Sequence, residues 1–146
     1  MTTRSMTMML TASLLALAAL TGCGSQTITY STSETEYSAQ TLTAVIASTD
    51  TGSLPDTPVS EADDLRSRAL VELRGEGAEQ AQVADLITAT FTGPTTAVPV
   101  RVERATFAGQ PAIIVVEAIG PEGGMLADKR VWVLSTDGSV LYSGMD

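Results

Sequence analysis

The segment Ala112-Ile113-Ile114-Val115-Val116-Glu117-Ala118-Ile119 is apolar at every position but one, and it limits the fold more than any other feature. Branched residues in an unbroken run favour a strand, whose successive side chains point to opposite faces. Ile113, Val115 and Ile119 then point one way, and Ile114, Val116 and Ala118 the other. Val131 and Val133 likewise oppose Trp132 and Leu134, and Val140 and Tyr142 oppose Leu141. A sheet with helices on one face and water on the other alternates cleanly. This one does not. Burying each further branched side chain contributes roughly 1.5–3 kcal/mol, so a second apolar face demands a cover. Residues 41–47 could fold back over it, a pocket there could take an apolar ligand, or the face could meet a second subunit or another protein. In that last case Trp132, Leu134, Ile114, Val116 and Leu141 are the candidate interface residues, with Trp132 foremost because indoles are enriched among interface hot spots.

The elements around this strand follow from periodicity. Leu65, Ala69 and Leu73 recur at four-residue spacing after Ser60, a candidate N-cap, with Glu61, Asp63 and Asp64 at the positive end of the helix dipole. A helix to about Arg74 follows. Gly75-Glu76-Gly77 interrupts it before a second amphipathic stretch, Ala78–Phe91, which puts Val83, Leu86, Ile87 and Phe91 on one side. These are two helices or one kinked helix. Val98, Val100 and Val102 alternate with polar or turn-forming residues. Strands are then expected at Ala112–Ile119, Val131–Leu134 and Val140–Tyr142, the last two joined by a tight turn at Asp137-Gly138. The expected architecture is α+β: two helices followed by a four-stranded antiparallel meander, in one small domain over residues 59–146.

The N-terminus reads as an address. Residues 1–22 carry a single charge, Arg4, and Met8–Leu20 is an uncharged run too short to span roughly 30 Å of hydrocarbon as a helix. This fits the positive and apolar regions of a secretory signal peptide. The run ends Leu20-Thr21-Gly22-Cys23, which resembles the lipobox of bacterial lipoproteins. The resemblance covers residues 1–23 and implies that the Cys23 thiol receives diacylglycerol, that residues 1–22 are removed, and that the product stands on the extracytoplasmic face of a bacterial cell membrane. Two or more acyl chains give stable anchoring where one is marginal.

Without residues 1–22 the chain keeps all 17 carboxylates but 7 of its 8 basic residues, a net charge of about −10. That balance argues against nucleic-acid binding and against adsorption to anionic headgroups, leaving lipid on Cys23 as the membrane contact. Residues 23–58 read as a lipidated tether and loop. Gly24–Ser38 is rich in Ser and Thr, although Thr27-Ile28-Thr29-Tyr30 also suits a short edge strand, and Thr41–Ala47 suits a strand or helical turn packed on the domain.

Catalytic chemistry finds little purchase. The sequence holds one cysteine and no histidine, so it offers no internal disulfide, no His-activated nucleophile and no ordinary His/Cys metal site, and no cofactor is expected. Lys129 beside Asp128 and Arg130 reads as surface charge. Glu122 and Asp128 lack calcium-loop spacing. Glu117, the charge inside the apolar strand, is expected to face a cross-strand arginine, Arg130 or Arg101. The reading is a non-catalytic binding or accessory module at the cell envelope. A carboxylate-dependent enzyme and a purely structural envelope protein are the alternatives.

Overall fold

The computed structural model describes residues 28–93 and 95–146; the expected signal peptide and Cys23 lie outside them. The chain runs β1 (Thr29–Tyr37), α1 (Ala39–Ser48), two short 3₁₀ turns, α2 (Ala62–Glu76), α3 (Ala78–Thr90), β2 (Ala97–Phe107), β3 (Gln110–Ile119), β4 (Asp128–Ser135) and β5 (Val140–Met145). The strands form one mixed sheet in the order β1-β2-β3-β4-β5. β1 runs parallel to β2, and every other neighbouring pair is antiparallel.

This corrects the expected fold. Among the described residues the sheet has five strands rather than four and is mixed rather than a pure antiparallel meander, and the helices number three rather than two. The additional strand and helix come from residues 29–48, within the stretch read as tether and loop. β1 is polar (TYSTSETEY), and most of its side chains face water. It holds its place through ladder hydrogen bonds to β2, with Thr29 opposite Arg101 and Tyr37 opposite Phe107, and through its two tyrosines. An edge strand needs few apolar side chains when its backbone is paired.

α1 begins at a capping box. Ser38 is the N-cap and accepts from the Thr41 amide, while the Thr41 hydroxyl accepts from the Ser38 amide. Leu42, Val45 and Ile46 follow at helical spacing and are buried. At the far end the Lys129 ammonium donates to the carbonyls of Ala47 and Thr49, which helps satisfy the last turn.

α2 and α3 occupy the two amphipathic stretches and are separated by Gly77, whose backbone is extended. Ser60 is not the N-cap: a 3₁₀ turn, Val59–Glu61, precedes α2, and Asp63 and Asp64 sit in its first turn.

α1 packs on one face of the sheet and the α2–α3 pair on the other. Leu42, Val45 and Ile46 cluster with Val98, Val100, Ile114, Val116, Val131 and Val133. Ala69, Leu73, Val83 and Ile87 cluster with Ile28, Val102, Ile113, Val115 and Leu134. The two-sided hydrophobicity of β3 is thus met by helices of the same chain on both faces, with residues 41–47 supplying the second cover.

Candidate functional site

Glu117 lies in β3, on the face covered by α2 and α3. Its backbone register sets Arg130 directly opposite, the arrangement expected for a charge inside an apolar strand. The Arg130 Nη2 and Nε atoms donate to Oε2 of Glu117 at 2.8 and 3.2 Å. Two further partners were not anticipated. Arg66, one turn into α2, reaches Oε1 at 3.3 Å, and the Trp132 indole donates to Oε2 at 2.9 Å. Arg66 also donates to the Phe91 carbonyl at 3.4 Å, at the end of α3.

Aromatic rings close the assembly. Phe91 and Trp132 lie 5.0 Å apart between ring centroids, and the Arg130 guanidinium stacks 4.8 Å over the Trp132 ring. Side-chain exposure is 1% for Glu117, 7% for Arg66 and 31% for Arg130, so the carboxylate is dry and water reaches the group at Arg130 and the half-buried rings. Arg66 is i+4 from Ala62 and i−3 from Ala69, both buried, so its position on the inner face of α2 is the sequence signal that could have found it.

A second buried carboxylate, Glu103, sits on the opposite face beneath α1. It accepts from the Tyr37 hydroxyl at 2.9 Å and from Arg101 Nη2 at 2.6 Å. Burial, and then the hydrogen bond to Glu103, push the Tyr37 phenol above its ordinary pKa, which keeps it a neutral donor. Glu103 and Glu117 are the two carboxylates buried among the described residues, and the sheet separates them. A pair of carboxylates sharing one substrate does not arise from them. Each is held by arginine and by an aromatic donor, the pattern of charges that fix packing.

A cleft of about 300 Å³ opens at the end of the sheet where β1 begins, lined by Thr29, Asp50, Leu54, Thr57, Leu65 and Val100 among others. Asp50 is committed locally, accepting from the Gly52 amide at 2.8 Å in the loop that walls the cleft. Among the described residues no group of three His, Cys, Asp or Glu side chains is placed to hold a metal ion. Lys129, read as surface charge, is engaged with the end of α1.

The five residues proposed as an interface do not share a face. Ile114 and Val116 are fully buried under α1, whereas Leu134 is fully buried on the α2–α3 side. Trp132 is half-buried against Phe91, and Leu141 is half-buried beside the α1 cluster. Register is the reason. Val115 pairs with Trp132 and Ile114 with Val133, so Trp132 shares the face of Val115. No helix among the described residues is long and apolar enough to cross a membrane. Comparison with protein-family models, with curated proteins and with solved structures found no match.

Proposed function

We propose that this chain is exported, lipidated on Cys23 and held on the extracytoplasmic face of a bacterial cell membrane, where its domain serves as a non-catalytic binding or accessory module. The observation that carries this reading is the lone cysteine of the chain standing directly after Leu20-Thr21-Gly22 at the close of an uncharged run. A thiol placed there has a chemical use that a cysteine elsewhere would not. The net charge supports lipid rather than electrostatics as the means of attachment, because a domain near −10 is repelled by anionic headgroups.

The non-catalytic part rests on how the charges are spent. Glu117 and Glu103 are each bound by arginine and by an aromatic donor on opposite sides of the sheet. General acid–base work needs a carboxylate within hydrogen-bond reach of a reacting group, and these two are already surrounded by the protein's own donors.

Replacing the thiol tests the anchor. Cys23→Ser is expected to move the protein out of the membrane fraction or to leave it at precursor length with residues 1–22 attached. Mature-length Cys23→Ser protein remaining in the membrane pellet would overturn the reading. A photo-crosslinking residue at Thr136, exposed in the β4–β5 turn, tests the module. A discrete crosslinked species in intact cells is expected, and its absence, with the domain folded and anchored, favours a purely structural role.

A further inference from the structure

Ile28 is wholly buried against α2 and β2, and it lies five positions after Cys23. A chain spans at most about 3.6 Å per residue, so the Cα of Ile28 stands no more than about 18 Å from that of Cys23. β2, the long strand beside β1, extends over Ala97–Phe107, roughly 33 Å at about 3.3 Å per residue. The link is thus about half the length of the body it holds, which ties one end of the sheet to the attachment point.

That end is defined by register. Thr29 opens β1 opposite Arg101, so the start of β2, the end of β3, the start of β4 and the end of β5 lie on the same side. The loops following α1 and β3 meet there. The Val59 amide donates to the Gly124 carbonyl, and the Leu126 amide to the Thr57 carbonyl. Of the four large apolar side chains left exposed among the described residues, two are at this end: Met125, 49% exposed, in the loop, and Met145, 64% exposed, at the end of β5. Val140 is at the opposite end and Val71 on the outer side of α2.

We propose that this end of the sheet rests on the bilayer, with Met125 and Met145 in its interfacial layer. Flexible thioether side chains adapt to an irregular apolar boundary without a shaped partner, which suits a lipid surface. The proposal rests on the lipid-anchor reading of Cys23. It adds an orientation: the β2–β3 and β4–β5 turns face away from the membrane and are the surfaces open to soluble partners.

The test uses full-length lipidated protein in vesicles of zwitterionic phosphatidylcholine, chosen because Asp50, Asp56 and Glu122 on the same loops and Asp128 at the start of β4 repel anionic lipid. Lipidation consumes the Cys23 thiol, so a cysteine introduced as Met125→Cys, Met145→Cys or Gln110→Cys takes an environment-sensitive dye selectively. Lipids bearing a quencher near the headgroup should quench the dyes at positions 125 and 145 severalfold more than the dye at position 110, in the β2–β3 turn. Equal quenching at all three, or none at positions 125 and 145 while the protein floats with the vesicles, overturns the orientation. The mass of the Cys23-bearing N-terminal peptide from the same sample separates the two ideas. Lipid on Cys23 with unquenched dyes defeats the orientation alone, whereas a bare Cys23 defeats the anchor and the orientation with it.

Discussion

Arg66 of α2 and Glu117 of β3 form an ion pair at 3.3 Å from which water is almost wholly excluded, their side chains being 7% and 1% exposed. The pair bolts a helix to the centre of the sheet. Removing one member leaves the other charge buried without its partner, which costs more than the pair itself contributes. Glu117→Ala is expected to lower stability by about 3–5 kcal/mol. The double change Arg66→Met with Glu117→Leu is expected to lose far less, because no charge is stranded on α2. Urea unfolding with unchanged m-values measures both, and equal losses in the single and double variants would refute the account.

Ile28 ties the start of β1 to the core. Its side chain is fully buried, although it precedes β1 and lies among Ser and Thr. Ile28→Ala should cost about 2–5 kcal/mol, the range for truncating a core isoleucine. Ser31→Ala, exposed on β1, should stay within about 0.5 kcal/mol of the parent. A neutral Ile28→Ala in the same unfolding assay would contradict its place in the core.

Gly120 separates β3 from the loop that carries Met125. A Cβ at this position would sit 1.9 Å from the Met125 carbonyl oxygen and 2.7 Å from Val59 Cγ2, and backbone must move to admit it. Gly120→Ala is expected to cost about 1–3 kcal/mol, and to speed amide exchange at Leu126, whose N–H bonds to Thr57. Gly75, within α2, has open space around its Cβ position. Gly75→Ala should therefore stabilise, by up to about 1 kcal/mol. Thermal unfolding of the two variants gives shifts of opposite sign.

The β4–β5 turn carries the one strongly shifted carboxylate. Asp137 accepts from the Ser135 hydroxyl and from the Ser139 amide at 3.0 Å, and these bonds hold its pKa down at about 2. The unfolded value is about 3.9, so the stabilisation is complete above that pH and fades as pH falls towards 2. Asp137→Asn should be less stable than the parent at pH 6, with the gap narrowing at pH 2.5. Urea midpoints at the two pH values decide it, and a gap that holds constant or widens in acid contradicts the assignment.

Periodicity located α2, α3 and the strands from Ala97 onward, because each of these elements buries a stripe or a face and writes that requirement into its residues. The two-sided character of β3 also announced that both faces of the sheet would be covered. That Glu117 would face Arg130 or Arg101 was legible for a related reason, since a charge inside an apolar strand needs an opposite charge beside it, and register chose Arg130. The unique cysteine after Leu20-Thr21-Gly22 was equally plain, and it carries the proposed attachment.

Tertiary structure decided the rest. β1 is built from Thr, Ser and Glu with two Tyr, and its place depends on backbone pairing with a strand some 70 positions away, Thr29 standing opposite Arg101. Backbone hydrogen bonds leave no side-chain signature, so a polar edge strand reads like a solvated spacer. The faces of Trp132 and Ile114 were likewise set by cross-strand register, which pairs Trp132 with Val115 and Ile114 with Val133 and so sends the two side chains to opposite sides of the sheet. Arg66 reached Glu117 because α2 lies across the sheet at that height, a matter of packing between elements 51 positions apart. Local chemistry chose the elements. Long-range geometry chose their partners, because a residue's own neighbours in the chain carry no record of what the fold will bring against it.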